Sequence, residues 1–289
     1  MKQSLFKPFS FTTRGRLVNF DRPAVMGILN ITSDSFYDGG LYTTAQAMLD
    51  RAHRILDEGA DIIDLGATST RPGTPQPDPN DEAARLREAV TLLRAELPEA
   101  LISVDTCFPE SARAVIEAGA DIINDIGGGD VARPEPGQIS PMFAVAAELQ
   151  VPYILMHGAA AHFGIEPMDE QADMVDSVVR FLSQRLDQLY RLGLKDVWLD
   201  PGFGFGKTMA QNHDLLQRLD ELTGLFREPI LVGLSRKRMV YMPLGSGPDD
   251  ALAGTIALDA IALDRGAAII RVHDVKPAVD TVRLLCEFK

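Results

Sequence analysis

The sequence predicts an α/β chain folded as a (β/α)8 (TIM) barrel, with an N-terminal β-hairpin closing its bottom. Three observations carry this prediction. Eight short β-rich runs, at residues 24–29, 61–65, 101–104, 121–124, 152–156, 196–199, 229–234 and 268–272, have helix-like stretches between most of them. They are near-continuous in Val, Ile and Leu and do not alternate, as expected of parallel strands covered on both faces. A helix-stop-strand phrase also recurs, as Gly59-Ala60-Asp61-Ile62-Ile63, Gly119-Ala120-Asp121-Ile122-Ile123 and Gly266-Ala267-Ala268-Ile269-Ile270. Finally, 289 residues accommodate eight such units, since these barrels take about 250 residues. A doubly wound open sheet is the alternative on pattern alone.

Taken in order, residues 9–20 place two β-rich arms around Arg14-Gly15 and read as the hairpin. The run 24–29 opens the barrel, followed by an amphipathic stretch at 44–58 and the run 61–65. A second helical stretch at 81–97 leads into 101–104, and a third at 109–117 into 121–124. The runs 152–156 and 196–199 flank a long amphipathic segment at 174–192. The stretch 251–264 joins 229–234 to 268–272. In each repeated phrase the Gly follows a helical stretch and is suited to the left-handed conformation that stops a helix, and the Ile pair then enters the sheet. No composition shift or Ser/Gly linker marks a second domain, so residues 1–289 are read as one.

Composition sets the class. The chain is 46% hydrophobic and 24% charged, values of an ordinary globular protein rather than a disordered or membrane-spanning one. Its 28 basic and 41 acidic residues give a net charge of −13, which argues against a broad nucleic-acid-binding face. The N-terminus lacks the apolar core of a secretory signal, and two cysteines cannot build a disulfide scaffold or a zinc ribbon. A cytoplasmic protein with no membrane partner is expected.

In such a barrel the active site gathers at the C-terminal strand ends. The residues there are Asn30; Ser69, Thr70 and Arg71; Asp105; Asn124 and Asp125; His157; Asp200; Ser235, Arg236 and Lys237; and Arg271, His273 and Asp274. Any one Asp could be a cap or a surface ion pair; the assembled ring points to a site. Asp105, Asn124 and Asp200 suit a flat heterocycle, because a carboxylate takes two parallel N–H bonds from an amidine-like edge. Asn30, Thr70, Arg71, Arg271 and His273 suit a phosphorylated group.

Two polar loops, at 31–40 and 67–79, place hydroxyls, an Arg and Pro/Gly punctuation after the first two barrel strands, as a phosphate clamp or mobile lid would require. The segment Asp200-Pro201-Gly202-Phe203-Gly204-Phe205-Gly206-Lys207-Thr208 invites a nucleotide-binding reading, but counting excludes it. A P-loop needs Gly at position 201, which is Pro, and a dinucleotide fingerprint needs GxGxxG where the chain has GxGxG. The glycines instead suit close passage of backbone past a ligand. His157 and His273 lack zinc-motif spacing. A hard cation arriving with a diphosphate fits better, since Mg2+ keeps its waters and needs few protein ligands. Cys107 has no nearby His in sequence and reads as a small buried residue.

Together these segments closely resemble the dihydropteroate synthase family. The stretches are Met26-Gly27-Ile28-Leu29-Asn30-Ile31-Thr32-Ser33-Asp34-Ser35-Phe36, Ser69-Thr70-Arg71-Pro72-Gly73, Ser103-Val104-Asp105-Thr106, Asn124-Asp125-Ile126, Met156-His157, the 200–207 segment, Ser235-Arg236-Lys237 and Arg271-Val272-His273-Asp274-Val275. The resemblance spans about residues 20–288, in the family's order. It implies a barrel that joins 6-hydroxymethyl-7,8-dihydropterin diphosphate to p-aminobenzoate, releasing diphosphate by a dissociative route. It further implies Asp105, Asn124, Asp200, Lys237, Arg271, Met156 and Gly233 around the pterin. Asn30, Thr70, Arg71, Arg271 and His273 would then anchor the diphosphate, with Mg2+ held partly by Asn30. Phe36, Thr70, Pro72, Phe205, Lys237 and Arg238 would line the aminobenzoate pocket, with Asp34, Lys237 and Asp105 as catalytic groups. A homodimer is the family's usual assembly.

The chain departs from the family at Ser33, often Pro; at Thr68, usually an acid; over residues 158–164, where many members continue with Arg-Gly; and at Arg238, where some carry Ser. These departures bear on aminobenzoate contacts and sulfonamide sensitivity and leave the pterin set intact. A pterin-dependent methyltransferase barrel is the second enzyme reading, opposed by the diphosphate-side residues. A pterin-binding relative without turnover is the non-enzymatic one.

Overall fold

Two strands at the N-terminus, β1 (Phe9–Thr13) and β2 (Arg16–Phe20), pair antiparallel from Phe9↔Phe20 to Thr13↔Arg16. Arg14 and Gly15 between them have φ of 44° and 74°, the turn geometry whose twist matches that of paired strands. The computed structural model describes residues 5–31, 41–67, 78–129, 138–158, 171 and 173–288. The expectations for Ser33, Asp34, Phe36, Thr68, Ser69, Thr70, Arg71 and Pro72, and for 159–164, lie outside these residues.

The eight barrel strands are β3 (Ala24–Asn30), β4 (Ile62–Gly66), β5 (Leu101–Thr106), β6 (Ile122–Asp125), β7 (Tyr153–Met156), β8 (Val197–Asp200), β9 (Leu231–Val232) and β10 (Ile269–Val272). Adjacent strands are parallel, in the order β8-β7-β6-β5-β4-β3-β10-β9. A parallel bridge between Leu199 and Ile230 joins the two ends of this series. The expected barrel is therefore present, strand for strand. The run 229–234 shortens to two residues, because Pro229 has no N–H to donate and Gly233 no side chain to pack.

Around the ring run α1 (Leu41–Asp57), α2 (Pro79–Glu96), α3 (Pro109–Glu117), α4 (Pro141–Leu149), α5 (Met174–Arg191), α6 (Met209–Gln217), α7 (Leu219–Leu225), α8 (Arg238–Tyr241), α9 (Leu252–Asp264) and α10 (Val275–Glu287). Their starts are encoded locally. Asp78 caps α2 by accepting from Asn80 and Asp81 N–H, with Pro79 in the first turn, and Thr208 forms a capping box with Gln211 on α6. Gly59, Gly119 and Gly266 have φ of 98°, 108° and 93°, so the repeated phrase does stop helices as read.

Inside the ring, side chains facing the axis follow a period of two. Ile62, Leu101, Ile122, Ile154, Trp198 and Ile269 form an apolar bottom layer with Phe11 and Phe20 of the hairpin. Phe11 meets Trp198 edge-on at 5.0 Å. The hairpin thus plugs the bottom, as expected. Two residues farther along the same strands, the inward positions become Asp64, Ser103, Asn124, Met156, Asp200 and Arg271. The barrel is dry below and polar above.

One buried carboxylate fastens the plug. Asp121, fully buried, accepts from Thr13 Oγ1 (3.0 Å), Ile102 N–H (2.9 Å) and Arg94 Nη2 (2.6 Å). Asp121→Ala leaves the Arg94 guanidinium without its carboxylate and two donors unmet. It should cost about 3 kcal/mol of unfolding free energy, read by urea denaturation, with Asp121→Asn losing less.

Candidate functional site

The polar upper layer is tied together from its floor. Arg271, on β10, donates from Nε to Asp64 Oδ2 (2.6 Å) and from Nη2 to Asp105 Oδ2 (2.8 Å). Asn124 Nδ2 lies 3.2 and 3.3 Å from the two Asp64 oxygens. Asp105, Asn124 and Arg271 therefore converge, as the strand-end reading expects. Burial pushes the Asp105 carboxyl up to about 7, against the pull of Arg271; the charges of Asp64 and Glu82 add to the rise. Asp64 was absent from that reading. It sits in the middle of the apolar run, between Ile63 and Leu65, one layer below the strand ends.

A second group lies across the mouth. Asp200 accepts from Gly202 N–H (2.7 Å), and burial raises its carboxyl above the ordinary range against the opposing charge of Lys237. Lys237 Nζ donates to Phe203 O (2.5 Å) and stands over the Phe205 ring, 4.9 Å from its centroid. Burial brings this ammonium down to about 8, helped by Arg271 and opposed by Asp200. Phe205 packs with Met156 and Ile126, whereas Phe203 turns into the core.

The glycines of this turn are required where the backbone crowds. A Cβ on Gly202, at φ 70°, would overlap His157 O, and one on Gly204, at φ 79°, would press on the Lys237 stem at 3.1 Å. Lys207, the last residue of the 200–207 segment and given no role of its own by the sequence, bonds Gly202 O (2.8 Å) and Phe205 O (3.4 Å). Burial pushes its ammonium down to about 7, against the attraction of Asp200. Gly233 borders the Lys237–Arg271 side: a Cβ there would lie 3.7 Å from Arg271 Cβ and from Lys237 Nζ.

At the rim, Asn30, Gly66 and Asp105 stand side by side in register. The bare Gly66 lets Asn30 Oδ1 and Asp105 Cβ approach to 3.2 and 3.6 Å from where a Cβ would sit. His273 N–H donates to Ser235 Oγ (3.2 Å), and its Nδ1 lies 3.0 Å from the same oxygen. Burial, with Arg271 and Arg236 nearby, brings the imidazole down to about 4, so it is neutral at pH 7. Ser235 Oγ thus accepts from the His273 backbone N–H and pairs with the ring nitrogen of the same residue.

Other strand-end residues are spent on scaffolding. Asp125 faces out of the barrel, where it accepts from Gly127 and Gly129 N–H and from the Tyr153 hydroxyl. Arg236, at φ 57°, forms a two-pronged bond with Asp274 (2.7 and 3.0 Å), consuming both. His157 is buried, and burial with the neighbouring Lys207 keeps its ring neutral. Arg238 is exposed, its Nε against Met242 Sδ (3.3 Å) along its own helical segment, and is not brought to the Lys237–Phe205 pair. Cys107 is buried and its thiol is pushed up by burial, as a small core residue requires.

For a cation, the described residues contain no group of three His, Cys, Asp or Glu side chains able to hold one. The rim offers the neutral Asn30 oxygen. That donor set fits a Mg2+ delivered with a diphosphate and keeping most of its waters.

Comparison with known proteins gives the same reading. The profile of the pterin binding enzyme family matches residues 26–273. A dihydropteroate synthase of Streptococcus pyogenes serotype M3 is 42% identical over 279 residues, covering 94% of this chain and 98% of that protein. Among solved structures, Xanthomonas albilineans dihydropteroate synthase with 4-aminobenzoic acid superposes with a TM-score of 0.84 at 39% identity, covering 96% and 97% of the two chains. The Coxiella burnetii enzyme in complex with pteroic acid gives 0.82 at 31% identity, covering 97% and 98%. Barrel, strand-end order and near-full-length similarity have a common source: this chain belongs to the dihydropteroate synthase family of pterin binding enzymes.

Proposed function

We propose that the mouth of this barrel joins 6-hydroxymethyl-7,8-dihydropterin diphosphate to p-aminobenzoate, giving 7,8-dihydropteroate and diphosphate. The observation that carries the reading is the convergence of Asp105, Asn124, Asp200, Lys237 and Arg271 on one small polar layer above an apolar floor. The carboxylates and the Asn amide take the hydrogen-bonding edge of the pterin. Lys237 donates to its carbonyl and ring nitrogen, and Arg271 covers a face of the ring. Met156 and Gly233 border the ring without competing polar groups.

The pterin stabilises positive charge at its methylene carbon. The methylene C–O bond breaks with its electron pair leaving on diphosphate; the aniline nitrogen then forms the new C–N bond and loses a proton. Catalysis is therefore positioning and leaving-group stabilisation. Asn30, Arg271 and the neutral His273 imidazole take the diphosphate on this side, with Thr70 and Arg71 assigned to the same task. Asn30 would hold part of a Mg2+, which would supply charge neutralisation to the leaving group. Phe205 and the Lys237 stem wall the aminobenzoate pocket, to which Phe36, Thr70 and Pro72 are also assigned. Asp34 is assigned to steadying the methylene cation.

The protein is further proposed to act as a cytoplasmic homodimer. Leu252, Ile261 and Leu284 are exposed on the neighbouring helices α9 and α10, and both cysteines are free thiols. Among the described residues no helix is long and apolar enough to cross a membrane.

The test is diphosphate release by the purified chain with Mg2+ and dihydropterin diphosphate, with and without p-aminobenzoate. Release coupled to dihydropteroate formation is expected. Pterin binding without product would identify a binding protein that lacks turnover, and no binding would overturn the assignment of the pocket.

A further inference from the structure

Among the described carboxylates of the pocket, Asp64 is the most deeply buried. Its side chain is fully buried, while those of Asp105 and Arg271 are 8% and 19% exposed. Yet it touches two of the groups assigned to the pterin. Its Oδ2 takes Arg271 Nε at 2.6 Å, and its two oxygens face Asn124 Nδ2 at 3.2 and 3.3 Å. We propose that Asp64 is a positioning residue, which orients Asn124 and Arg271 from below and sets the charge against which Asp105 ionises.

This role of Asp64 rests on the pterin reading of the pocket. An amide side chain can present either its oxygen or its NH2, and rotation exchanges them. With Nδ2 drawn down to the Asp64 carboxylate, Asn124 must offer its oxygen upward, an acceptor for a ligand N–H. The guanidinium is fixed likewise: Nε goes to Asp64 and Nη2 to Asp105, so its remaining donors are free for a ligand. Finally, three buried or half-buried cations, Lys207, Lys237 and Arg271, stand against three carboxylates, Asp64, Asp105 and Asp200. Asp105 feels Arg271 from β10, Asp64 from β4, Glu82 from α2 and Lys237 from the turn after β9. Loss of the Asp64 charge removes a repulsion and frees Arg271 for Asp105, so Asp105 ionises at lower pH.

The experiment measures the affinity of 6-hydroxymethyl-7,8-dihydropterin from pH 5 to 9 by calorimetry, for the wild-type chain and for Asp64→Asn, Asp64→Ser and Asp64→Glu. In the wild type, affinity rises with pH as Asp105 ionises and falls again as Lys237 loses its proton. Asp64→Asn and Asp64→Ser should weaken binding about 10- to 100-fold at pH 8 and move the acid-side midpoint down by about one pH unit. Asp64→Glu, which keeps the charge, should leave the midpoint in place. Weaker binding with an unmoved midpoint, or no weakening, overturns the proposal. So does failure of both neutral variants to fold, which would make Asp64 part of the scaffold only. Asp105→Asn is the control for the reading beneath: if it binds pterin like the wild type, the pocket assignment fails and the Asp64 role goes with it.

Discussion

Arg271→Gln should lower the thermal midpoint by about 10 °C and abolish measurable pterin binding. The guanidinium is held between Asp64, fully buried, and Asp105, 8% exposed. Glutamine supplies an amide donor and no charge, so two neighbouring carboxylates would remain in the barrel without their cation. Breaking a buried pair by removing one partner typically costs about 3–5 kcal/mol, far more than the intact pair contributes. In chains of this size each kcal/mol moves the midpoint by about 2–4 °C.

The loss should depend on pH with a definite sign. Without the cation, the folded chain holds a proton on Asp105 at pH values where unfolded carboxyls are ionised. The folded state then binds more protons than the unfolded one, and stability falls as pH rises. Urea unfolding at pH 5.5 and pH 8 should therefore show the smaller deficit at pH 5.5. A deficit equal at both values would mean that lost packing, not uncompensated charge, dominates. Arg271→Lys restores a charge but not the planar fork, so it should recover stability more fully than binding.

This network also shows what the sequence could and could not reveal. Parallel strands covered on both faces announce themselves as apolar runs, and their ends are where polar side chains become visible against that background. Asp105, Asn124, Asp200 and Arg271 were found that way. Asp64 is hidden because it lies inside an apolar strand, where the pattern predicts core. The available signal was a lone carboxylate inside Ile62-Ile63-Asp64-Leu65, a residue type almost never fully buried without a partner. Alternation could also have separated Asn124 from Asp125. Adjacent strand residues face opposite sides, so only one of the two could enter the barrel.

The remaining gaps have a spatial origin. Asp274 and Arg236 lie 38 positions apart and neutralise one another, which no local motif encodes. Lys207 stands next to Asp200 only because Gly202 and Gly204 fold the turn back on itself. Arg238 follows Lys237 directly, yet Lys237 sits just before a short helix and reaches the pocket, while the Arg238 side chain runs along that helix to Met242. Proximity in sequence to a pocket residue did not place it there.

Lys237→Gln is the second large effect: kcat/KM for dihydropterin diphosphate should fall about 10²- to 10³-fold. The ammonium is the charge that most strongly opposes the rise of the Asp200 carboxyl, and it is preorganised by Phe203 O at 2.5 Å and by the Phe205 ring. Glutamine can still donate one hydrogen bond, but it cannot hold Asp200 ionised or stabilise electron density drawn onto the pterin carbonyl. The pH profile discriminates this role from packing. kcat/KM reports groups of the free enzyme, and the productive form has Asp105 ionised and Lys237 protonated. With Asp105 near 7 and Lys237 near 8, the wild-type profile should be a narrow bell peaking between those values. The variant should keep the acid limb and lose the alkaline one. An alkaline limb that survives in Lys237→Gln would shift the titration to Lys207, the other ammonium of this turn, and with it the role of reading the pterin carbonyl.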